Sequence, residues 1–268
     1  MPGTMKTKTL LFSLMAAAST SLTPIASAAL VEKTVEYKEG DTTLEGFQVY
    51  DDAVQGKRPA VLVIHQWTGL TDYEKMRARM LAELGYNVLA ADIYGKGVRP
   101  QPPAAGQEAG KFKGDRGLYR ARLKAGLDLL QKDERTDTKK IAAIGYCFGG
   151  TGVLELARSG ADIAGVVSFH GALDAAAGME AKPGTVKAKV LVLHGAEDPF
   201  VPNEQAVALG KELSAAGVDW QLSVYADAVH GFTQKMSGDD KSKGAAYNEK
   251  ADKRSWEAMK VFFAEIFK

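Results

Sequence analysis

Short apolar runs rich in β-branched residues alternate along the chain with longer stretches whose apolar positions recur at helical spacing. Residues 35–37 and 44–50 predict an opening hairpin with Gly40 and Asp41 in its turn. The other runs predict buried strands at residues 60–65, 87–91, 140–144, 163–169, 190–194 and 220–225. Because strands and helices alternate, the pattern predicts an α/β fold, with a mostly parallel central sheet and helices on both faces.

The amphipathic stretches predict the helices that connect these strands. They cover residues 72–84, 118–131, 149–158, 203–216 and 251–267. Asp72 is expected to cap the first helix, and Gly85 is expected to end it. In the last helix, Trp256, Met259 and Phe263 recur at helical spacing, so we expect this helix to pack them into the core.

Three long segments show neither pattern, and each follows a strand at the same edge of the predicted sheet. They are residues 95–117, 171–187 and 231–248, of which the first is rich in glycine and proline. Long irregular segments in a globular domain are commonly binding loops or lids. We therefore expect these three segments to wall a pocket.

The sequence Gly145-Tyr-Cys-Phe-Gly-Gly150 places the only cysteine of the chain, Cys147, directly after a buried strand. This pattern is typical of a nucleophile elbow, here with sulfur in the place of the usual serine oxygen. Gly145 and Gly149 supply bare backbone for the sharp turn, and the helix that follows favours a thiolate at its N-terminus. The alternative is a buried structural cysteine in an ordinary strand-to-helix turn.

Two further residues could complete a nucleophile, base and acid arrangement. Asp198 follows the strand at residues 190–194, and His230 follows the strand at residues 220–225. In this kind of fold the acid and then the histidine come after the nucleophile in the chain. The order predicts that His230 takes a proton from Cys147 while Asp198 orients the imidazole.

Composition and charge describe an ordinary globular chain with an export signal. Its 268 residues are 46% hydrophobic and 25% charged. Residues 1–28 combine Lys6 and Lys8, a short apolar run and a final Ala-Ser-Ala, which predicts a signal peptide cleaved after Ala28 and one domain over residues 29–268. We expect a periplasmic or secreted protein, although a disordered or helical N-terminal extension is the alternative.

Net charge and motif content exclude several classes of partner. Removal of two lysines would change the formal charge from +1 to −1, which favours neither nucleic acid nor an anionic membrane as a partner. The four histidines show no metal-binding spacing, and no glycine-rich loop has the spacing of a nucleotide site. We expect no metal, no cofactor and a monomeric chain.

With the elbow, Asp198 and His230 in place, the chain from Val35 onward resembles the dienelactone hydrolase family of α/β-hydrolases. The resemblance implies hydrolysis of a small ester or lactone through a thioester on Cys147. It also implies an oxyanion hole formed by the backbone amides of Phe148 and Trp67. A non-catalytic periplasmic protein that binds a small molecule on the same fold is the alternative function.

The resemblance also implies substrate-binding positions, and the chain departs from the family at three of them. Gln66 stands where the family has a glutamate that activates the thiol, and it cannot act as a base. Lys96 and Gln234 stand where the family has two arginines that hold a substrate carboxylate. Tyr94 is expected either to pack or to touch substrate, and His170 is expected to line the pocket.

Overall fold

Eight strands and six helices make up the part of the chain that the computed structural model describes, residues 1–4 and 29–268. The strands are β1 (Leu30–Glu39), β2 (Thr42–Asp51), β3 (Arg58–Ile64), β4 (Asn87–Ala91), β5 (Thr136–Tyr146), β6 (Gly165–Phe169), β7 (Lys189–Gly195) and β8 (Trp220–Tyr225). The helices are α1 (Asp72–Glu83), α2 (Ala104–Gly114), α3 (Arg116–Lys132), α4 (Phe148–Arg158), α5 (Asn203–Ala215) and α6 (Glu249–Ile266). The predicted signal peptide falls almost entirely on residues 5–28, which lie outside the described residues.

All eight strands form one sheet, in the order β1-β2-β4-β3-β5-β6-β7-β8. The pairs β1–β2 and β2–β4 are antiparallel, and every pair from β4 to β8 is parallel. The prediction of an α/β fold with a mostly parallel sheet is therefore confirmed. Because the carboxyl ends of parallel strands share one edge, the loops after β3, β5, β7 and β8 converge there.

The sheet is buried on both faces, as the continuous apolar runs predict. In β3, Leu62 and Ile64 point to the face covered by α2, α3, α4 and α5, whereas Val61 and Val63 point to the face covered by α1 and α6. Each of these side chains is fully buried, which stabilises the fold by about 1.5–3 kcal/mol per residue. Among the helices of the described residues, none has the length and hydropathy that a bilayer crossing needs.

The first helix begins differently from the sequence prediction. Thr71, not Asp72, is the N-cap of α1, and the helix ends one residue before the predicted boundary. The Glu74 carboxylate accepts hydrogen bonds from the Thr71 amide at 2.8 Å and from the Thr71 hydroxyl at 2.7 Å. This is a capping box, in which a threonine and the glutamate three residues later satisfy the free amides of the first turn.

Helix α2 lies within the segment 95–117, which the sequence predicts to be irregular. Gly106 and Gly110 weaken the helical pattern there, because glycine is among the poorest helix formers. The helix is held instead by tertiary packing of Ala105, Ala109 and Phe112, which are all buried. The prediction that this segment is irregular throughout is therefore wrong.

The turn between β5 and α4 is the most constrained backbone in the fold. Cys147 has φ 53° and ψ −114°, a conformation that is strained for a residue with a side chain. A Cβ atom on Gly145 would lie 2.0 Å from the Gly149 carbonyl oxygen, and one on Gly149 would lie 2.2 Å from the Ile64 carbonyl oxygen. Both positions therefore require glycine for close backbone packing.

A substitution at Gly149 tests this constraint. We expect Gly149→Ala to lower the free energy of unfolding by about 3 kcal/mol or more, because the methyl group meets rigid backbone. Urea denaturation followed by circular dichroism measures the change. In the control variant Gly110→Ala, the added Cβ has open space in α2, so stability should stay level or rise by up to about 1 kcal/mol. Equal stability of the two variants would contradict the packing at the elbow.

Candidate active site

Three side chains from three loops meet at the carboxyl edge of the sheet. The Cys147 sulfur lies 3.1 Å from His230 Nε2, and His230 Nδ1 lies 2.8 Å from Asp198 Oδ2. The second carboxylate oxygen of Asp198 accepts the backbone amides of Phe200 at 2.9 Å and Val201 at 3.1 Å. With its carboxylate held in this way, Asp198 orients the imidazole so that Nε2 faces the sulfur.

The electrostatic environment of Cys147 and His230 favours a thiolate on Cys147 and an imidazolium on His230. Burial disfavours the thiolate, but the His230 imidazolium, the Lys113 ammonium and the Phe148 amide together hold the pKa of Cys147 below its ordinary value. Burial likewise disfavours the imidazolium, but the Cys147 thiolate and the Asp198 carboxylate raise the pKa of His230 above its ordinary value. Between these two pKa values the thiolate and imidazolium coexist, which makes the sulfur a strong nucleophile.

Two backbone amides are candidates to stabilise negative charge in the site. Phe148 is the first residue of α4, and Trp67 lies in the loop after β3. Within residues 29–268, neither amide donates a hydrogen bond to a backbone carbonyl. The Phe148 amide also faces the Cys147 sulfur, whose pKa it helps to lower. Free amides beside a nucleophile are the usual components of an oxyanion hole.

Buried polar groups hold the loop that carries Trp67. The Glu74 carboxylate accepts a hydrogen bond from the backbone amide of Gln66 at 3.2 Å, and burial raises the pKa of that carboxyl group. His65 Nδ1 donates to the Gln66 carbonyl at 2.6 Å, while His65 Nε2 accepts the Ile93 amide at 3.1 Å. The motif Thr71-Asp-Tyr-Glu74 is a capping box in the sequence, so this anchor could have been found there.

Tyr94 supports the same loop from the adjacent strand end. Its hydroxyl donates to the Trp67 carbonyl at 2.9 Å, and its ring packs against Phe148 and Phe112. Tyr94 is 5% exposed, so the structure places it in the packed interior beside the site. Of the two roles expected for Tyr94, packing describes its position.

Gln66, Lys96 and Gln234 occupy three different environments. Gln66 is 5% exposed and lies directly before Trp67. The Lys96 ammonium forms an ion pair with Glu36 on the exposed surface of β1. Gln234 is half-buried, and its side-chain oxygen accepts the Ser237 hydroxyl at 3.4 Å. Neither Lys96 nor Gln234 can therefore supply the bidentate guanidinium that the family resemblance implies at these two positions.

His170 lies beneath the backbone of Cys147 rather than on an open pocket wall. It is 1% exposed, and its Nδ1 accepts the Cys147 amide at 3.2 Å. Burial lowers the pKa of His170 well below its ordinary value, so the neutral ring carries its proton on Nε2. That nitrogen donates to the Thr233 hydroxyl at 2.8 Å.

The hydrogen-bonded chain continues outward from Thr233. Its hydroxyl lies 2.7 Å from the Tyr73 hydroxyl, which accepts Arg77 Nε at 3.3 Å. Arg77 also donates to the Thr233 carbonyl at 3.0 Å and pairs with Asp252 on α6. This chain, which we call the His170–Arg77 chain, ties the loop of His230 to α1 and α6. Sequence analysis missed Thr233, Tyr73 and Arg77, because no local pattern brings them together.

Helix α2 adds a positive charge that the sequence analysis also missed. Lys113, near its C-terminal end, acts electrostatically on the Cys147 thiolate. Gly106 lies against the Trp67 ring, where a Cβ atom would be 3.8 Å from it. The helix therefore covers the site at the place where a loop was expected. Within residues 29–268, no three His, Cys, Asp or Glu side chains form a group that could hold a metal ion.

The charge pair is tested by alkylation of Cys147 with iodoacetamide as a function of pH. We expect His230→Gln to raise the pKa of Cys147 and to slow alkylation at pH 7 about tenfold or more, because one pKa unit changes the thiolate fraction tenfold. Lys113→Gln should slow it by less than about threefold, since Lys113 is exposed and screened by salt. Lys111→Gln, on the same helix, is the control and should change nothing. An unchanged profile in His230→Gln would contradict the ion pair.

The His170–Arg77 chain is tested at Thr233. We expect Thr233→Val to lower the free energy of unfolding by about 1–3 kcal/mol, since it leaves His170 and Tyr73 without their shared partner. Thr233→Ser keeps the hydroxyl and should restore most of the loss. We also expect the valine variant, but not the serine variant, to raise the pKa of Cys147, measured by the same alkylation assay. If both variants behave alike, the hydroxyl does not hold the chain together.

Comparison with known proteins identifies the family. The model of the "Dienelactone hydrolase family" matches residues 44–267. A putative carboxymethylenebutenolidase of Aquifex aeolicus is 25% identical over 245 residues, which cover 87% of this chain and 98% of the relative. The crystal structure of a dienelactone hydrolase-like promiscuous phosphotriesterase from metagenomic libraries is 40% identical, with a TM-score of 0.85, covering 90% of this chain and 100% of that one.

A more distant solved structure shows the same fold. A putative dienelactone hydrolase from Klebsiella pneumoniae is 21% identical, with a TM-score of 0.72, and the match covers 88% of this chain and 99% of that one. The family match, the sheet order and the elbow agree with one another. The chain therefore belongs to the dienelactone hydrolase family of the α/β-hydrolase superfamily, and it is a hydrolase.

Proposed function

We propose that this protein hydrolyses a small ester or lactone with Cys147 as nucleophile, His230 as base and Asp198 as the residue that orients His230. The observation that carries the proposal is the continuous contact from Sγ to Nε2 at 3.1 Å and from Nδ1 to Oδ2 at 2.8 Å, at a strained elbow. A structural cysteine has no need of such a partner. Membership of a hydrolase family supports the same reading.

The reaction proceeds through a thioester. The Cys147 thiolate attacks the carbonyl carbon, and the negative oxygen that forms accepts the amides of Phe148 and Trp67. Each such donor stabilises a transition state by about 3 kcal/mol. The His230 imidazolium then protonates the departing alcohol oxygen, which leaves an acyl group on sulfur. Finally His230 takes a proton from water, the hydroxide attacks the thioester, and the acid is released as the thiolate re-forms.

His230 activates the thiol directly in this scheme. Gln66 is neutral and cannot accept a proton, so no carboxylate at that position is available to assist. The lowered pKa of Cys147 and the raised pKa of His230 support a thiolate that exists before substrate arrives. Slow hydrolysis of the thioester is then the expected weak step, and amides are expected to be poor substrates.

The substrate differs from the dienelactones that give the family its name. Recognition of a carboxylate favours a bidentate arginine, which neither Lys96 nor Gln234 provides. Lys96 is already paired with Glu36, and Gln234 carries no charge. Both observations support an ester or lactone that lacks the carboxylate group.

Phosphotriesters are a second candidate substrate class. The observation that favours them is a 40% identity with a structure described as a promiscuous phosphotriesterase. The match covers the whole of that protein's chain. A thiolate beside two amide donors could attack phosphorus as well as carbon, because negative charge develops on an oxygen in both cases. The product on the enzyme would be a phosphorylated Cys147 in place of an acylated one.

We further propose that the protein is exported and acts as a monomer. The first strand begins at Leu30, directly after the expected cleavage site at Ala28, so removal of residues 1–28 would leave the sheet intact. Every residue assigned to the reaction comes from one chain, so a second copy is not needed to complete the site.

Mass spectrometry with p-nitrophenyl acetate tests the mechanism. We expect a burst of nitrophenol and one acetyl group on Cys147 that decays with time, because acylation outpaces hydrolysis of the thioester. Cys147→Ala should lower the turnover rate at least about a thousandfold while the circular dichroism spectrum stays unchanged. Paraoxon, tested in parallel, should leave a diethylphosphoryl group on Cys147 if phosphotriesters are substrates.

The same experiment distinguishes the hydrolase from a non-catalytic binding protein. Turnover that survives in Cys147→Ala, or a Cys147 that never carries an acyl group, would overturn the cysteine mechanism. A small molecule that copurifies with an unreactive protein would indicate a binding protein on the same fold.

A further inference from the structure

A concave surface lies on the opposite side of the fold from α2, between α1, residues 233–247 and α6. Its volume is about 740 Å³, which falls within the usual range for small-molecule sites. We call it the α1/α6 groove and define it by its apolar and aromatic walls: Tyr73, Met76, Met80, Met236, Tyr247 and Trp256. None of Cys147, Asp198 and His230 lines it, so it is separate from the candidate active site.

The walls of the groove are adaptable and partly open to solvent. Three of the six are methionines, whose flexible thioether side chains fit ligands of differing shape. Met236 is 94% exposed and Met76 is 41% exposed, although both are apolar. Exposed apolar side chains that gather around a concavity, rather than being scattered singly, mark a binding surface.

The charges around the groove compensate one another. Arg77 pairs with Asp252, and Lys253 lies 2.7 Å from Glu249. Glu257 lies 2.9 Å from Lys260, and Asp72 lies 3.9 Å from Lys75. Lys235 lies over the Tyr247 ring and forms no ion pair within residues 29–268. The charged lining side chains are three cations and four anions, so neither sign dominates, and a charged occupant would lose its hydration against little net opposite charge, which costs free energy. Charge complementarity therefore favours a neutral occupant.

The floor of the groove is polar but already satisfied. Tyr73, Arg77 and Thr233 bond to one another in the His170–Arg77 chain. They offer a rigid base on which a ligand can rest, and they leave the apolar walls to provide the binding energy. The Arg77 guanidinium packs over the Trp256 ring, with its carbon 5.5 Å from the ring centre, which holds that ring in place.

We propose that the α1/α6 groove binds a neutral, mainly apolar small molecule, with an aromatic or aliphatic body held between Trp256 and the methionines. The concave shape and the volume fit a small molecule, whereas another protein would need a protruding segment to fill the groove. The proposal does not depend on the reaction at Cys147, because no residue of the groove belongs to the proposed nucleophile, base or acid.

Fluorescence titration with N-phenyl-1-naphthylamine, a neutral aromatic probe, tests the proposal. The protein is first alkylated at Cys147 with iodoacetamide, so that the candidate active site is blocked. We expect saturable binding of one probe per chain, with enhanced fluorescence, before and after alkylation. Met76→Glu and Met236→Glu, both at exposed positions, should weaken binding about tenfold or more, because a charge at the wall disfavours an apolar ligand.

Val261→Glu is the matched control. Val261 lies on α6 and is 71% exposed, but it does not line the groove, so the probe should bind this variant as it binds the unaltered protein. Binding that alkylation abolishes, or that the two methionine variants leave unchanged, would overturn the proposal. So would sedimentation showing a dimer that Met76→Glu and Met236→Glu dissociate, since the groove would then be an interface between two copies.

Discussion

The strained turn at Cys147 depends on close backbone packing that only glycine permits. The strand β5, the helix α4 and the loop after β3 meet there, with Gly149 pressed against the Ile64 carbonyl. Because the backbone cannot relax, the sulfur is held at the N-terminus of α4, where the Phe148 amide faces it. The position of the Cys147 sulfur, the direction of the Phe148 amide and the start of α4 all follow from this one steric constraint.

The surrounding charges then determine the ionisation state of Cys147 at this turn. The sulfur sits near the N-terminus of α4, close to His230, with the positive charge of α2 nearby. Burial works against both charges of the thiolate and imidazolium pair, and their mutual attraction outweighs it only together with Lys113, the Phe148 amide and Asp198. Asp198 keeps the imidazole in place, and its own carboxylate is held by two backbone amides.

Buried polar residues connect this site to the far side of the sheet. His170 supports the Cys147 amide from below, and the chain through Thr233, Tyr73 and Arg77 reaches α6. Each member would be costly to bury alone, because an unsatisfied buried donor loses about 1–3 kcal/mol. Together they fix the loop of His230 against two helices, and the outer end of the chain forms the floor of the α1/α6 groove.

The sequence by itself determined the alternation of strands and helices, the elbow, and the loops that carry Asp198 and His230. These features are local, since hydrophobic period, glycine spacing and chain order are visible in short windows. Tertiary structure alone decided that α2 forms, because the packing of Phe112 outweighs the poor propensity of its glycines. It also decided the position of His170, whose φ of 40° turns the ring beneath Cys147. The α1/α6 groove likewise depends on tertiary structure, because it arises from segments far apart in the chain.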